Sequence, residues 1–147
     1  AMDAIFRAIE NNLVNVTVWN YTPDNTHLLG DRWNEEDLSI YSKDTPSEVC
    51  KDGGRGTKAF SRPYPILTEG NPVSLYFDLA KGLFKYSFRR GDFDKGSCVI
   101  FIPEVHYAAG FKVLINAGTY IYKKDKNLLF FQGETGVDLY GITVLRD

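Results

Sequence analysis

The sequence has little of what builds a metal or disulfide framework: two cysteines, Cys50 and Cys98, far apart in 147 residues, and two histidines, His27 and His106. That excludes a disulfide-dense scaffold and the paired cysteine spacing of a structural zinc site, and it leaves free thiols or a single disulfide both open. An excess of charge of one sign is also missing. Lys and Arg number 17 against 19 Asp and Glu, the formal charge is -2, and no dense basic stripe appears, which argues against nucleic acid as a partner. No apolar run approaches the roughly 20 residues needed to span a bilayer. The N-terminus lacks the charged-then-apolar order of a signal peptide, so a secretory signal, if the protein has one, is expected elsewhere, and no compartment is indicated. Gly53-Gly54-Arg55-Gly56 is not expected to follow a strand or open a helix, so no phosphate-cradling loop is expected. No internal repeat and no cofactor motif is present.

What is there suits a globular chain with one real core: 44% hydrophobic, 24% charged and 14% aromatic residues. Met2, Ile5, Phe6, Ile9 and Leu13 recur at helical spacing with Asp3 and Glu10 set opposite, predicting an amphipathic helix over 2–12. Val14, Val16 and Val18 then alternate with Asn15, Thr17 and Trp19, predicting a strand over 14–20. A helix followed at once by a strand is how an α/β protein is wired. After position 41 helical periodicity disappears. Residues 43–58 read as a surface loop and Phe60–Pro65 as extended chain, because a residue before proline is pushed from the helical region.

Seven short strands follow, near 73–79, 84–88, 98–102, 111–115, 119–123, 127–131 and 137–144, separated by turn formers. The fold class is therefore mainly β, an antiparallel β-sandwich of about seven to eight strands preceded by a helix-strand unit. Phe84, Tyr86, Phe88, Tyr120, Tyr122, Phe130 and Phe131 are assigned to its core rather than to a sugar-stacking platform. His106 is read as structural, and Arg90-Gly91-Asp92 as turn chemistry.

The stretch from Val14 to Tyr41 is the candidate site. Pro23 should stop the strand, and the following loop gathers His27, Asp31, Arg32, Trp33, Asn34, Glu35, Glu36 and Asp37. His27, Asp31, Glu36 and Asp37 carry donor atoms for a metal, but their spacing fits no ligand template, and no metal is assigned. A catalytic pair drawn from Asp31, Glu35, Glu36 and Asp37 would satisfy the two-carboxylate requirement of glycoside hydrolysis. Their crowding in sequence argues instead for loop structure. Asn15-Val16-Thr17 and Asn20-Tyr21-Thr22 match the glycosylation sequon, and chance is preferred because a strand entering a core is a poor acceptor.

Trp19-Asn20-Tyr21-Thr22-Pro23-Asp24-Asn25, Gly30-Asp31, and Trp33-Asn34 with Glu36-Asp37-Leu38-Ser39-Ile40 resemble the end of the catalytic barrel in endoglycoceramidase-like members of glycoside hydrolase family 5. Arg62-Pro63-Tyr64-Pro65 resembles the segment that enters their C-terminal β-sandwich. The resemblance implies that 1–42 is the end of a (β/α)8 barrel with its connecting loop and 43–147 a C-terminal sandwich. It implies that the nucleophile and acid/base glutamates lie upstream of Ala1, so that this chain alone is catalytically incomplete. Trp19 would form the floor under the cleaved sugar, with Asn20, Tyr21 and His27 on the rim, while Asp31, Trp33, Asn34, Glu36 and Asp37 latch the loop between barrel and sandwich. The implied partners are an upstream barrel segment, a glycosphingolipid or other β-glycoside, and a membrane surface; no cofactor is implied. Where that family has glycine between Asn and Glu-Asp, this chain has Glu35, and the family's backbone is not carried over at this position, since a glycine there can serve a positive φ.

A separate binding module for carbohydrate or glycolipid is the alternative. An apolar helix face left open would favour the barrel fragment, and a helix and strand packed into the sandwich would favour the module.

Overall fold

A computed structural model describes residues 1–44, 52–92 and 95–147. Its core is a sandwich of two four-stranded antiparallel sheets. β1 (Tyr64–Glu69), β4 (Ser97–Phe101), β7 (Leu128–Gln132) and β6 (Thr119–Lys123) lie side by side in that order in one sheet. β2 (Asn71–Asp78), β3 (Leu83–Arg89), β8 (Leu139–Arg146) and β5 (Phe111–Ile115) form the other. Among the described residues three α-helices accompany them, α1 (Met2–Asn12), α2 (Thr57–Phe60) and α3 (Glu104–Tyr107), with one 3-10 turn at Lys124–Lys126.

Alternation decides which residues are inside. Phe84, Tyr86 and Phe88 on β3 stand opposite Val144, Ile142 and Tyr140 on β8, and all six are buried. Facing them from the other sheet are Cys98 and Ile100 on β4 and Leu129 and Phe131 on β7. Burial pushes the Cys98 thiol up to about 12, so it behaves as a small hydrophobe. Cys50 lies outside the described residues. Tyr140 fixes one end of the sandwich: its Oη donates to the Glu134 carbonyl (2.7 Å) and accepts the Gly96 N–H (3.2 Å). A Cβ at Gly133 would sit 2.3 Å from that ring, so only glycine permits the approach.

The amphipathic helix forms over Met2–Asn12 as its spacing predicts, and the seven expected sandwich strands are all present with ends shifted by a few residues. The strand expected over 14–20 is not formed. A strand exists through its ladder partners, and among the described residues none runs beside this segment. The eighth strand is instead β1, where only extended chain was expected. It is an edge strand with a bulge between Pro65 and Leu67, the position at which a proline without an N–H is tolerated. The one-turn helices α2 and α3 are too short to show periodicity in sequence. Contrary to expectation, Gly56 does precede a helix, capping α2 at φ 68°, but no described strand runs into it.

The acidic side of α1 does not face away either. Glu10 is buried, and the Arg62 guanidinium meets its carboxylate with two hydrogen bonds, Nε to Oε1 at 2.6 Å and NH2 to Oε2 at 3.0 Å. Arg62 also donates to Asp3 Oδ1 (2.7 Å) and the Phe77 carbonyl (3.1 Å), and it lies over the Phe77 ring at 4.9 Å. One buried arginine thus ties α1 to the edge of the sandwich. Ile5 stays more than half exposed on the far side.

Candidate functional site

After α1 the chain turns at Leu13, in the left-handed conformation at φ 52°, and runs through Val14 and Val16, both exposed, to Trp19. Residues 19–44 then close into a loop held by side chains rather than by a sheet. Asp31, buried, is its first hub. Its Oδ2 accepts from Asn20 Nδ2 and the Leu38 N–H, both at 3.1 Å, while Oδ1 accepts the Trp33 N–H at 3.0 Å. A carboxylate suits this place because it has several lone pairs to offer and no donor to satisfy.

Asp37 is the second hub. Arg55 NH1 donates to its Oδ1 at 2.7 Å, Asn25 Nδ2 donates to the same oxygen at 3.0 Å, and His27 Nδ1 lies 4.0 Å from Oδ2. The Arg55 hydrogen bond above all holds this carboxyl below the usual aspartate range; burial opposes it, and the Asn25 hydrogen bond and the charges of Arg55 and His27 add to the lowering. Asn25 is fully buried and also donates to the Tyr41 carbonyl at 2.7 Å. Ser39 Oγ accepts the N–H groups of Thr22 and Tyr41. His27 is attached by its backbone, whose N–H donates to Asp44 at 2.9 Å.

Trp33 to Glu36 make a tight turn closed by the Glu36 N–H on the Trp33 carbonyl at 2.9 Å. Its central residues, Asn34 and Glu35, have φ of 49° and 59°. Positive φ at both is the signature of a type I′ turn, for which Asn-Gly is the preferred pair. Glu35 is therefore a side-chain-bearing residue in a backbone that favours glycine, which settles the conformation the loss of the family glycine had left open.

The structure brings Trp19 against Trp33, ring centroids 6.1 Å apart and edge to face, and Tyr21 against Tyr41 at 5.5 Å. Trp19 is 66% exposed and Tyr21 63%. It joins Asn20 to Asp31, and His27 to Asp37. Glu36 enters through its backbone, since its carbonyl accepts the Asp31 N–H, and its side chain is exposed. Sequence reasoning gave no role to Asn25, Ser39 and Arg55, although Asn25 and Ser39 stand in the motifs quoted above, because their partners are set only when the loop closes on them. Chemically, the loop presents two large ring surfaces to solvent on a scaffold whose polar groups are largely satisfied from below.

Comparison with known proteins places this architecture among the glycoside hydrolases. The model of the glycoside hydrolase family 5 C-terminal domain matches residues 62–144, and the chain belongs to that family. A glucosylceramidase of Rhizopus delemar is 35% identical over an alignment covering 90% of this chain and 22% of the relative. The solved structure of Cryptococcus neoformans sterylglucosidase 1 is 33% identical and superimposes with a TM-score of 0.88, covering 100% of this chain and 24% of that one. Endo-glycoceramidase II from Rhodococcus sp. shares the fold at 12% identity, with a TM-score of 0.67, over 99% of this chain and 29% of that one. The chain therefore spans about a quarter of the length of these relatives.

Proposed function

We propose that this chain is the C-terminal portion of a retaining β-glycosidase that removes sugar from a lipid aglycone, a glycosphingolipid or simple glucosylceramide. The observation that carries this reading is Trp19: a mostly exposed indole, braced edge to face by Trp33, at the head of a latched loop. An indole of that kind stacks on the C–H face of a sugar and shields a developing oxocarbenium centre from water. Asn20, Tyr21 and His27 would border the same surface. Asp31, Trp33, Asn34, Glu36 and Asp37 would hold its shape.

In this reading 1–42 completes a (β/α)8 barrel and 43–147 is the sandwich behind it. Residues 14–20, which lack a ladder here, would pair with neighbouring barrel strands, and the exposed Leu13, Val14 and Val16 would be covered by them. A groove of about 890 Å³ between α1, the segment 14–18 and the sandwich edge leaves room for such a partner. Two upstream glutamates would perform double displacement: one attacks the anomeric carbon as the other protonates the departing oxygen, and that second residue then activates water. The 147 residues alone are expected to release no sugar from glucosylceramide, and joining the upstream segment is expected to restore release. Activity from the isolated chain would overturn the assignment and return attention to Asp31, Glu35, Glu36 and Asp37.

Contact with a membrane surface fits the same reading. Leu28, 91% exposed, and Leu29, half exposed, form the tip of the turn that Thr26 and Gly30 close with a 2.8 Å hydrogen bond. A convex apolar tip suits insertion among lipids better than capture of a single molecule. Leu28→Ser with Leu29→Ser is expected to weaken binding to phosphatidylcholine vesicles about tenfold in a flotation assay, about 1.4 kcal/mol. Leu13→Ser with Val16→Ser is expected to leave that binding unchanged; a loss with the second pair alone would reject the tip as the contact.

A further inference from the structure

The sandwich has two open sides, and they are not treated alike. At one, α1 packs on β2, Arg62 donates to the Phe77 carbonyl of that strand, and the groove described above lies beside β1. At the other, β6 and β5 are the edge strands of their sheets, and a cleft of about 440 Å³ opens between them. Its walls include Glu104, Tyr107, Phe111, Tyr120, Tyr122 and Asn127.

Register makes this cleft unusual. Tyr120 pairs with Phe131 and Tyr122 with Leu129, and both partners are buried core residues. Tyr120 and Tyr122 therefore point to the inside of the sandwich, where alternation would place core side chains. Neither is buried: Tyr120 is 42% exposed because the opposite sheet does not reach over it. The rings beside it are fixed. Tyr107 meets Phe111 at 5.4 Å and Phe111 meets Tyr122 at 4.9 Å, with interplanar angles of 67° and 83°, so ring surfaces wall the cleft from more than one direction.

The polar groups are few and balanced. Tyr122 Oη donates to Asn127 Oδ1 at 3.2 Å, which sets the side chain of a residue held at φ 54°. The Tyr107 hydroxyl is buried without a hydrogen-bond partner in the protein. Glu104 and Lys124 give the cleft one charge of each sign. A size within the range of small-ligand pockets, ring walls, scattered hydroxyl and amide groups and no net charge match a molecule with apolar C–H faces and many neutral hydroxyls.

We propose that the cleft between β5 and β6 is a second carbohydrate-binding site, taking a neutral mono- or disaccharide. It lies on the side of the sandwich away from α1, so it is separate from the Trp19 surface and holds sugar without cleaving it.

The test is a titration of the isotope-labelled 147-residue chain with cellobiose and with methyl β-D-glucoside, read by amide chemical shifts. Millimolar binding is expected to move amides within 104–111 and 119–127. Tyr120→Ala and the milder Tyr122→Leu are each expected to weaken that binding about tenfold. Tyr120 is exposed, so its variant should remain folded, which the unperturbed amides of β3 and β8 report. No shift at tens of millimolar sugar, shifts insensitive to both tyrosine variants, or a response to octanol and not to either sugar would each overturn the proposal. None of these outcomes bears on the glycosidase reading, which stands or falls on release of sugar with the upstream segment.

Discussion

Arg62→Ala is expected to lower the stability of the chain by about 3–5 kcal/mol, because truncation strands a buried carboxylate without its cation. The pair is asymmetric. Glu10 has its carboxyl raised above the usual 4.5 by burial, against the opposing hydrogen bonds and charge of Arg62. A folded state that holds this proton more tightly than the unfolded chain loses stability as pH rises from about 4.5 through the raised value. Without Arg62 the main opposing influence is gone and the rise is larger. The deficit of Arg62→Ala relative to the parent should therefore be smaller in acid, where Glu10 is protonated, and widen toward neutral pH. Urea unfolding at both pH values measures it. A deficit below about 1 kcal/mol, or one that does not widen, would show that the pair is not what joins α1 to the sandwich. Replacing both partners by Glu10→Leu and Arg62→Met should recover much of the loss, since a buried ion pair exchanged for apolar side chains of similar size is often neutral.

Trp19→Ala carries the second large effect, on activity instead of stability. In a chain joined to its upstream segment, losing about 100 Å² of stacked ring surface at about 25 cal/mol per Å² amounts to about 2.5 kcal/mol, or roughly 70-fold in kcat/KM. Stability should fall by less than about 1.5 kcal/mol, since the edge-to-face contact with Trp33 is what the folded chain loses. A large loss of stability with little change in kcat/KM would make Trp19 a structural residue and remove it from the sugar site. Trp33→Ala, assayed beside it, separates bracing from direct contact: a bracing residue should affect the reaction less than Trp19 does.

Much of the sandwich was legible in the sequence because its strands obey a rule that needs no knowledge of neighbours. Phe84, Tyr86 and Phe88 alternate on β3, and alternation alone sends them inward, where they are found at 0–1% exposure. The helix over 2–12 was readable for the same reason at its own period. The same logic failed at Val14, Val16 and Val18, which alternate equally well and form no ladder, because a strand requires a partner and local pattern carries no information about one. It failed again at Tyr120 and Tyr122, whose inward register is correct but whose covering sheet is absent.

What the sequence by itself determined is the class of the chain: an antiparallel sandwich, a leading helix, and a polar loop with two tryptophans whose motif order carries the family likeness. The glycine missing at Glu35 marked that turn as a place where the backbone needed checking, and only the structure shows that positive φ is kept there. What only the tertiary structure decided are the contacts between residues distant in sequence. Arg62 could not be matched to Glu10 and Asp3, nor Arg55 to Asp37, from spacing, since charged residues in a sequence do not specify their partners. The open cleft at β5 and β6 is likewise a property of where two sheets stop covering each other, and only packing in three dimensions sets that limit.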